Sequence, residues 1–570
     1  MPEHTHQTCT EVRLPALTLE NPQLWSCESP QLYNAEVVVT ADGMVVDSLT
    51  EQFGIRSLEF SPEFGFKLNG KKIFLQGNAN HHDLGALGAT CYDKAIERMM
   101  LQLKSFGYNC IRCSHNPYSE SFARIADRVG MLVVNELTDK WSDNDYWGGR
   151  QPFTHLWHKL ITEWIKRDRN RPSIILWSLG NELQIREGWA GFEGTNDWGI
   201  TTYNIFNQLV KRWDHTRLTT VAMFPARAGA ITRHDKEFND YLVPPELACA
   251  TEVASFNYQS DKYDAYLKYQ PDLILFQSEA ETSKLLQPYY NMDRKRTVGM
   301  AYWGSAEYWG ESNKWPKKGW NYSFFDHTMR PYPQAYLIKT AFMPEIPEVH
   351  IGVVDAAGAE SVSWNDVIVG RMALNECWNH IPGSRQSLFT YTNAHSVELL
   401  VNGQSMGVQQ NDTTQANLRN MIYWKDVPYG NGGSVVAIAR DKSGKEVARH
   451  RIETAGKAVA LRIEAETPTD WKADGMDLQY INVTAIDKKG RPVWDYNEPL
   501  TLQMEGAARL VALDNGDHYT DELFHGITSK RMYQGRMQII LRSDQEAGNV
   551  TVKISSAGLK GTLRLKTIKE

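Results

Sequence analysis

The sequence holds no apolar run approaching the ~18 residues that cross a bilayer as a helix, which excludes a helical membrane span. It lacks a basic excess as well. Lys and Arg number 61 against 68 Asp and Glu, a net charge of -7, which gives nucleic acid no attractive field. Cysteine is scarce and odd in number, seven in 570 residues, so a disulfide scaffold does not fit. Cys110 and Cys113 form a CxxC inside Tyr108-Asn-Cys-Ile-Arg-Cys-Ser114, which reads as a buried strand. No second pair or histidine cluster stands at zinc-site spacing, and they read as packed thiols. The first seven residues, MPEHTHQ, have no apolar signal-peptide core. Low-complexity segments are missing too.

What is present is several domains' worth of chain. A single core stops growing well below 570 residues, so three or four domains are expected. Residues 10–58 alternate in strand fashion, with a hairpin turning at Ala41-Asp-Gly43. These are too few strands for a whole sandwich. From about residue 70 short apolar strands alternate with amphipathic helices. The strand candidates are 73–77, 109–114, 131–136, 174–182, 218–223, 252–258, 273–279 and 299–304. Helical spacing links Ile96, Met99, Met100 and Leu103, then Phe122, Ile125, Ala126 and Val129, then Leu156, Leu160, Ile161 and Trp164. Eight such units predict a (β/α)8 barrel. A doubly wound sheet would carry a Gly-rich first turn, which this sequence lacks. Beyond about residue 347 the helical period disappears. Asn402-Gly403 signals a type I′ hairpin, and strand, Asp-Lys-x-Gly, strand recurs at Asp441 and Asp487. The predicted architecture is a partial immunoglobulin-like sandwich (1–58), the barrel (59–347) and two immunoglobulin-like β-sandwiches (348–457 and 458–570).

Catalytic side chains of such a barrel project from the C-terminal strand ends. Two glutamates close strongly apolar runs there: Ile174-Ile-Leu-Trp-Ser-Leu-Gly-Asn-Glu182 ends strand four, and Leu273-Ile-Leu-Phe-Gln-Ser-Glu279 ends strand seven. A charge at such a position is costly without a partner or a task. Two glutamates on facing walls suit cleavage of a glycosidic bond with retention, which needs carboxyls about 5–5.5 Å apart, one attacking the anomeric carbon and one protonating the leaving oxygen. Their pKa values must differ. Residues ending strands in plain salt bridges are the alternative. The 18 Trp would supply flat platforms for sugar faces, although most must fill cores.

Several stretches resemble glycoside hydrolase family 2. Arg167-Asp-Arg-Asn-Arg-Pro-Ser-Ile-Ile-Leu-Trp-Ser-Leu-Gly-Asn-Glu182 is similar to its acid/base signature. Phe53-Gly-Ile-Arg56, Phe66-Lys-Leu-Asn-Gly-Lys71, Ile111-Arg-Cys-Ser-His-Asn-Pro117, Ser278-Glu-Ala280 and Tyr302-Trp-Gly-Ser-Ala-Glu-Tyr-Trp-Gly-Glu311 follow in family order. The C-terminal modules resemble those of a β-galactosidase-like branch, on stretches such as 391–407 and 511–517. The resemblance implies a TIM barrel with Glu182 as general acid/base and Glu279 as nucleophile. It implies that Asn181 bonds the sugar 2-hydroxyl, that His81 lines the sugar pocket and that Tyr258 contacts the nucleophile. Trp303 would form a stacking floor, Asp139 and Trp141 would shape the glycone subsite, and Arg112 and His115 would brace the carboxylates. His82 reads as a core imidazole. Trp309, Trp315 and Trp320 are equally readable as aglycone platforms or loop packing.

Departures from the family pattern narrow the reading. The magnesium-binding β-galactosidases carry Glu-x-His after strand three, whereas this chain reads Glu136-Leu-Thr-Asp-Lys-Trp141, so neither an essential metal nor a cofactor is expected. The Asn-x-Lys of glucuronidases is missing from Gly319-Trp-Asn-Tyr-Ser-Phe324, though Lys317 and Lys318 stand nearby. The family's N-terminal jelly roll is expected to be missing from this chain. The expected partner is an oligo- or polysaccharide, with no nucleic acid and no membrane span, and a homo-oligomer is allowed for. The resemblance points to a periplasmic or secreted bacterial enzyme. The functional expectation is a retaining β-galactosidase. The alternatives are a β-glucuronidase or β-mannosidase of the family, or a glycan-binding protein without turnover.

Overall fold

A computed structural model describes residues 16–141, 153–183, 199–224, 244–312, 315–355, 360–364 and 367–569. The first described elements are β1 (Tyr33–Ala41) and β2 (Met44–Phe53), an antiparallel hairpin closed by Asp42 and Gly43 at positive φ. Upstream of it, Trp25 is fully buried and its indole N–H donates to Asp127 O at 2.8 Å. Downstream, Arg56 donates to the carbonyls of Pro172 (2.6 Å) and Ile174 (2.8 Å). The Phe-Gly-Ile-Arg motif thus ties this segment to the barrel floor. A small antiparallel sheet follows: β3 (Leu58–Ser61), β4 (Gly65–Leu68) and β5 (Lys71–Ile73).

The predicted barrel is borne out. Eight strands form a closed parallel barrel: β6 (Leu75–Asn80), β7 (Cys110–Cys113), β8 (Leu132–Glu136), β9 (Ile174–Asn181), β10 (Leu218–Met223), β11 (Val253–Asn257), β12 (Leu275–Ala280) and β13 (Gly299–Trp303). The largest boundary error is at the first, where residues 73–77 were expected. Ile73 belongs to β5, and the polar run Gln76-Gly-Asn-Ala-Asn80 continues the barrel strand because Asn78, Ala79 and Asn80 are all buried.

Strand periodicity decides which side chains reach the lumen. On β7 Ile111 and Cys113 join the outer core under the helices, Cys110 joins the inner core, and Arg112 shares the inward face of Cys110. Both cysteines are buried free thiols. The helices α1 (Asp93–Ser105) and α2 (Glu120–Val129) bury the expected stripes except at Met99 and Val129, which are half-buried, and Ser119 caps α2 through its side chain. In α3 (Phe153–Asp168) the stripe is rotated from expectation. Ile161, Trp164 and Ile165 are buried while Leu160 is 41% exposed.

Beyond the barrel lie antiparallel sheets that pack in pairs. Two four-stranded sheets between residues 349 and 453 enclose Trp378, Leu399 and Val435, and two more between 460 and 566 enclose Trp471, Ile481 and Ile539. The repeated Asp-Lys-x-Gly stretches share one turn chemistry. Asp441 Oδ1 accepts from the N–H groups of Ser443 and Lys445, and Asp487 Oδ1 from those of Lys489 and Arg491. The last sandwich docks on the barrel through a small apolar cluster, with Leu87 and Ala95 against Tyr480 and Ile540, flanked by the bidentate pair of Arg98 with Glu466 at 2.7 and 2.9 Å. No described helix is long and apolar enough to cross a membrane.

Candidate active site

Glu182 and Glu279 both stand at the C-terminal mouth, one residue past β9 and near the end of β12. They are 5% and 3% exposed. Parallel pairing slips at just this level. The registers of β9 with β10, β11 with β12 and β12 with β13 all shift near residues 181, 279 and 280. Such irregularities re-aim side chains at barrel rims. Glu182 (φ 50°) and Tyr258 (φ 60°) adopt left-handed backbone, held there by Glu182 N–H to Ala222 O (2.6 Å) and Tyr258 N–H to Glu279 O (2.8 Å). Non-glycine residues keep this conformation only where their surroundings over-determine it.

One hydrogen-bonded assembly joins the two carboxylates. Arg112 donates to Glu279 Oε1 at 2.7 Å and Tyr258 Oη donates to Glu279 Oε2 at 2.6 Å. Arg112 also donates to Asn181 Oδ1 (3.0 Å) and, through Nε and Nη2, to Glu136 Oε2 (3.1 and 2.8 Å). Asn257 Nδ2 donates both to Asn181 Oδ1 (3.0 Å) and to Glu182 Oε1 (3.1 Å), and its carbonyl accepts from Ser278 Oγ at 2.7 Å. Glu279 therefore faces a guanidinium and a phenol, while Glu182 faces a carboxamide.

The remaining sequence-predicted residues fall around this core. His115 Nδ1 contacts Glu136 Oε1 at 2.6 Å, and its ring stacks on Trp303 with centroids 5.2 Å apart. His81 lies edge-on to Trp303 and Tyr308 and reaches Glu311 Oε1 at 3.5 Å. Asp139 Oδ1 accepts from Lys140 Nζ (2.6 Å) and Asn181 Nδ2 (3.0 Å). Trp141 sits behind the others. It is buried, its indole N–H bonds Leu179 O at 2.7 Å, and its ring packs on Phe206 of α4 (Ile200–Trp213). His82 packs on Tyr118 and Phe122. Of the three tryptophans left open, Trp320 is buried and stacked on Tyr308, Trp309 packs against His327 and His518, and Trp315 is 74% exposed.

Electrostatics follow from these contacts. Burial alone would raise Glu136, but the charge of Arg112 and the bond and charge of His115 outweigh it and hold the carboxyl below its ordinary value. Asp139 is also lowered. Burial opposes this, and the charges of His115 and Lys140 overcome it. His81 is raised: burial opposes this most strongly, and the bond and charge of Glu311, the Ser114 carbonyl and the charge of Glu279 together overcome it. The Tyr258 phenol is pushed well up, first by burial and then by the charge of Glu279, so it remains a donor.

Glu136, Asn257, Tyr308 and Glu311 belong to the assembly and were not singled out as site residues in the sequence. Glu136 closes the apolar β8 as Glu182 and Glu279 close their runs, and that signal could have found it. Asn257 lies within the expected strand 252–258, next to Tyr258.

Comparison with known proteins gives one class, a barrel glycoside hydrolase. The model described as "Glycosyl hydrolases family 2, TIM barrel domain" matches residues 63–298. "Glycosyl hydrolases family 2" matches 2–56, and "Glycoside hydrolase family 2 C-terminal domain 5" matches 461–563. A crystal structure of a family 2 member from Bacteroides cellulosilyticus is 30% identical, with a TM-score of 0.80 over 95% of this chain and 68% of that one. The chain belongs to glycoside hydrolase family 2. A β-galactosidase of Bacteroides ovatus is 27% identical over 95% of this chain and 67% of its own length. A family 2 β-glucuronidase structure shares the fold at 19% identity and a TM-score of 0.70, over 97% of this chain and 55% of that one. The chain thus spans between about half and two thirds of the relatives it matches.

Proposed function

We propose that this chain hydrolyses terminal β-glycosides with retention of configuration, β-galactosides first among them. Glu279 attacks the anomeric carbon while Glu182 protonates the departing glycosidic oxygen, and the glycosyl ester forms as the aglycone leaves. A water then gives its proton to Glu182 and its oxygen to the anomeric carbon, freeing Glu279. The observation that carries this reading is one hydrogen-bonded assembly that holds both carboxylates at the barrel mouth. A guanidinium and a phenol converge on Glu279, which suits an anionic nucleophile, and the amide of Asn257 meets Glu182.

In this reading Asn181 meets the 2-hydroxyl, with its amide oriented by Arg112, Asn257 and Asp139. His81 and Trp303 line the sugar subsite, Asp139 shapes it, Trp141 backs the wall, and His115 and Arg112 brace the carboxylates. The β-galactosidase relative supports galactose as the sugar. A second reading, β-glucuronidase, is favoured by one feature. The buried ammonium of Lys317 lies 3.0 Å from Tyr322 Oη on the segment after β13, and an anionic sugar would call for a cation of this kind.

The test is hydrolysis of chromogenic β-galactoside, β-glucuronide, β-mannoside and β-glucoside, repeated with Glu182→Ala. A preferred β-galactoside is expected. The variant should lose poor leaving groups far more than good ones, with azide restoring rate on the good ones. Full activity of the variant on a poor leaving group would overturn the acid assignment, and binding without turnover in the wild type would overturn the enzymatic reading.

A further inference from the structure

A second cluster of chemistry-bearing side chains lies under the loop after β13, outside the pair proposed for hydrolysis. Glu307, on that loop, meets His327, from the segment before the helix Pro333–Phe342, and His518, from the last sandwich. All three side chains are at least 95% buried. The Oε2 atom of Glu307 lies 3.3 Å from His327 Nδ1 and 3.1 Å from His518 Nδ1. The three atoms lie within 4.8 Å of one another.

These distances are long for charge-assisted hydrogen bonds, which run about 2.7–2.9 Å. They match the ligand-to-ligand edge, about 3.3 Å, of a tetrahedral ion with bonds of about 2.0–2.1 Å. The outer contacts fit the same reading. His327 Nε2 lies 2.8 Å from Asp514 Oδ1, so with an ion in the cluster that nitrogen would carry the N–H and Nδ1 would be the ligand atom. Asp514 is in turn held by the Gly516 N–H at 3.0 Å. The Tyr332 hydroxyl donates to the other oxygen of Glu307 at 2.8 Å, leaving Oε2 for the cluster. Among the described residues the buried His518 Nε2 finds no hydrogen-bond partner, and the ring is engaged through Nδ1. Trp309 covers both imidazoles, with centroids 4.6 and 5.2 Å away.

We propose that Glu307, His327 and His518 bind a divalent transition-metal ion of the zinc class, with Asp514 orienting His327 and a fourth position left for water. Its role is structural. It pins the last sandwich to the loop carrying Tyr308 and Trp309. No sequence spacing pointed to it, because the ligands come from three distant segments.

The experiment uses the full chain, stripped with chelator, reloaded with zinc, passed over a desalting column and assayed for metal by mass spectrometry. About one zinc per chain is expected, with a higher melting temperature than the stripped protein. In Glu307→Gln and His518→Ala both the retained zinc and the temperature increment should be lost. Cobalt in place of zinc should give a visible d–d spectrum that His327→Gln abolishes. Two results would overturn the proposal: no retained ion in the wild type, meaning that protons alone fill the cluster, or equal retention in Glu307→Gln, which keeps the side-chain volume and would place any bound metal elsewhere.

Discussion

Arg112 reaches Glu279 at 2.7 Å with one arm of its guanidinium and grips Glu136 with the rest, from a position only 1% exposed. One cation therefore serves two buried carboxylates. Lysine carries the same charge but cannot span both. Arg112→Lys should lower kcat by about 10²-fold, a positioning loss of the kind a small displacement produces. Arg112→Ala removes the guanidinium that the two buried carboxylates share, and urea unfolding should register a loss of about 3–5 kcal/mol. Wild-type kcat in the lysine variant would show that the bridge is dispensable.

Tyr258 donates to Glu279 Oε2 at 2.6 Å from a phenol held protonated by burial and by that carboxylate. Tyr258→Phe removes one donor and keeps the ring. We expect kcat to fall by about 10–10³-fold with little change in melting temperature, as loss of a charge-stabilising donor does elsewhere. Steady-state kinetics beside a thermal scan separates this from a packing defect.

Trp25 fills a fully buried site and bonds the carbonyl of Asp127 across 102 residues of sequence. Trp25→Ala should cost about 3–5 kcal/mol, read as a shift in the denaturant midpoint at unchanged slope. An unshifted midpoint would mean that the hairpin segment is not anchored there.

The His450 imidazole is pushed down to about 4 by burial and then by the neighbouring His350. Its folded value lies below the unfolded one, so between pH 6.5 and 4 the unfolded chain binds a proton that the folded chain does not. Stability must therefore fall as pH drops through that window, by up to roughly 3 kcal/mol from this group. Denaturant midpoints at pH 7, 5.5 and 4.5 should show this slope in the wild type and a shallower one in His450→Gln. Equal slopes would remove His450 from the account.

The barrel was legible because its strands are short apolar runs separated by helices of clear period. Glu182 and Glu279 were legible because a charge closing such a run is physically unusual. The assembly around them was less so. That Asn257 would bridge Asn181 and Glu182, or that Arg112 would hold Glu136, depends on strands that close into a ring only in three dimensions. Leu160 shows the limit of periodicity. Two adjacent apolar residues, Leu160 and Ile161, compete for one stripe, and packing against the strands selects Ile161. The contacts among Glu307, His327 and His518 left no local trace at all.

The account rests on Glu279 forming a bond to the sugar. An activated 2-deoxy-2-fluoro-β-glycoside of the preferred sugar should inactivate the chain and raise its mass by one fluoroglycosyl unit, and peptide mapping should place that unit on Glu279. A label carried by any other residue would contradict the assignment and the mechanism built on it.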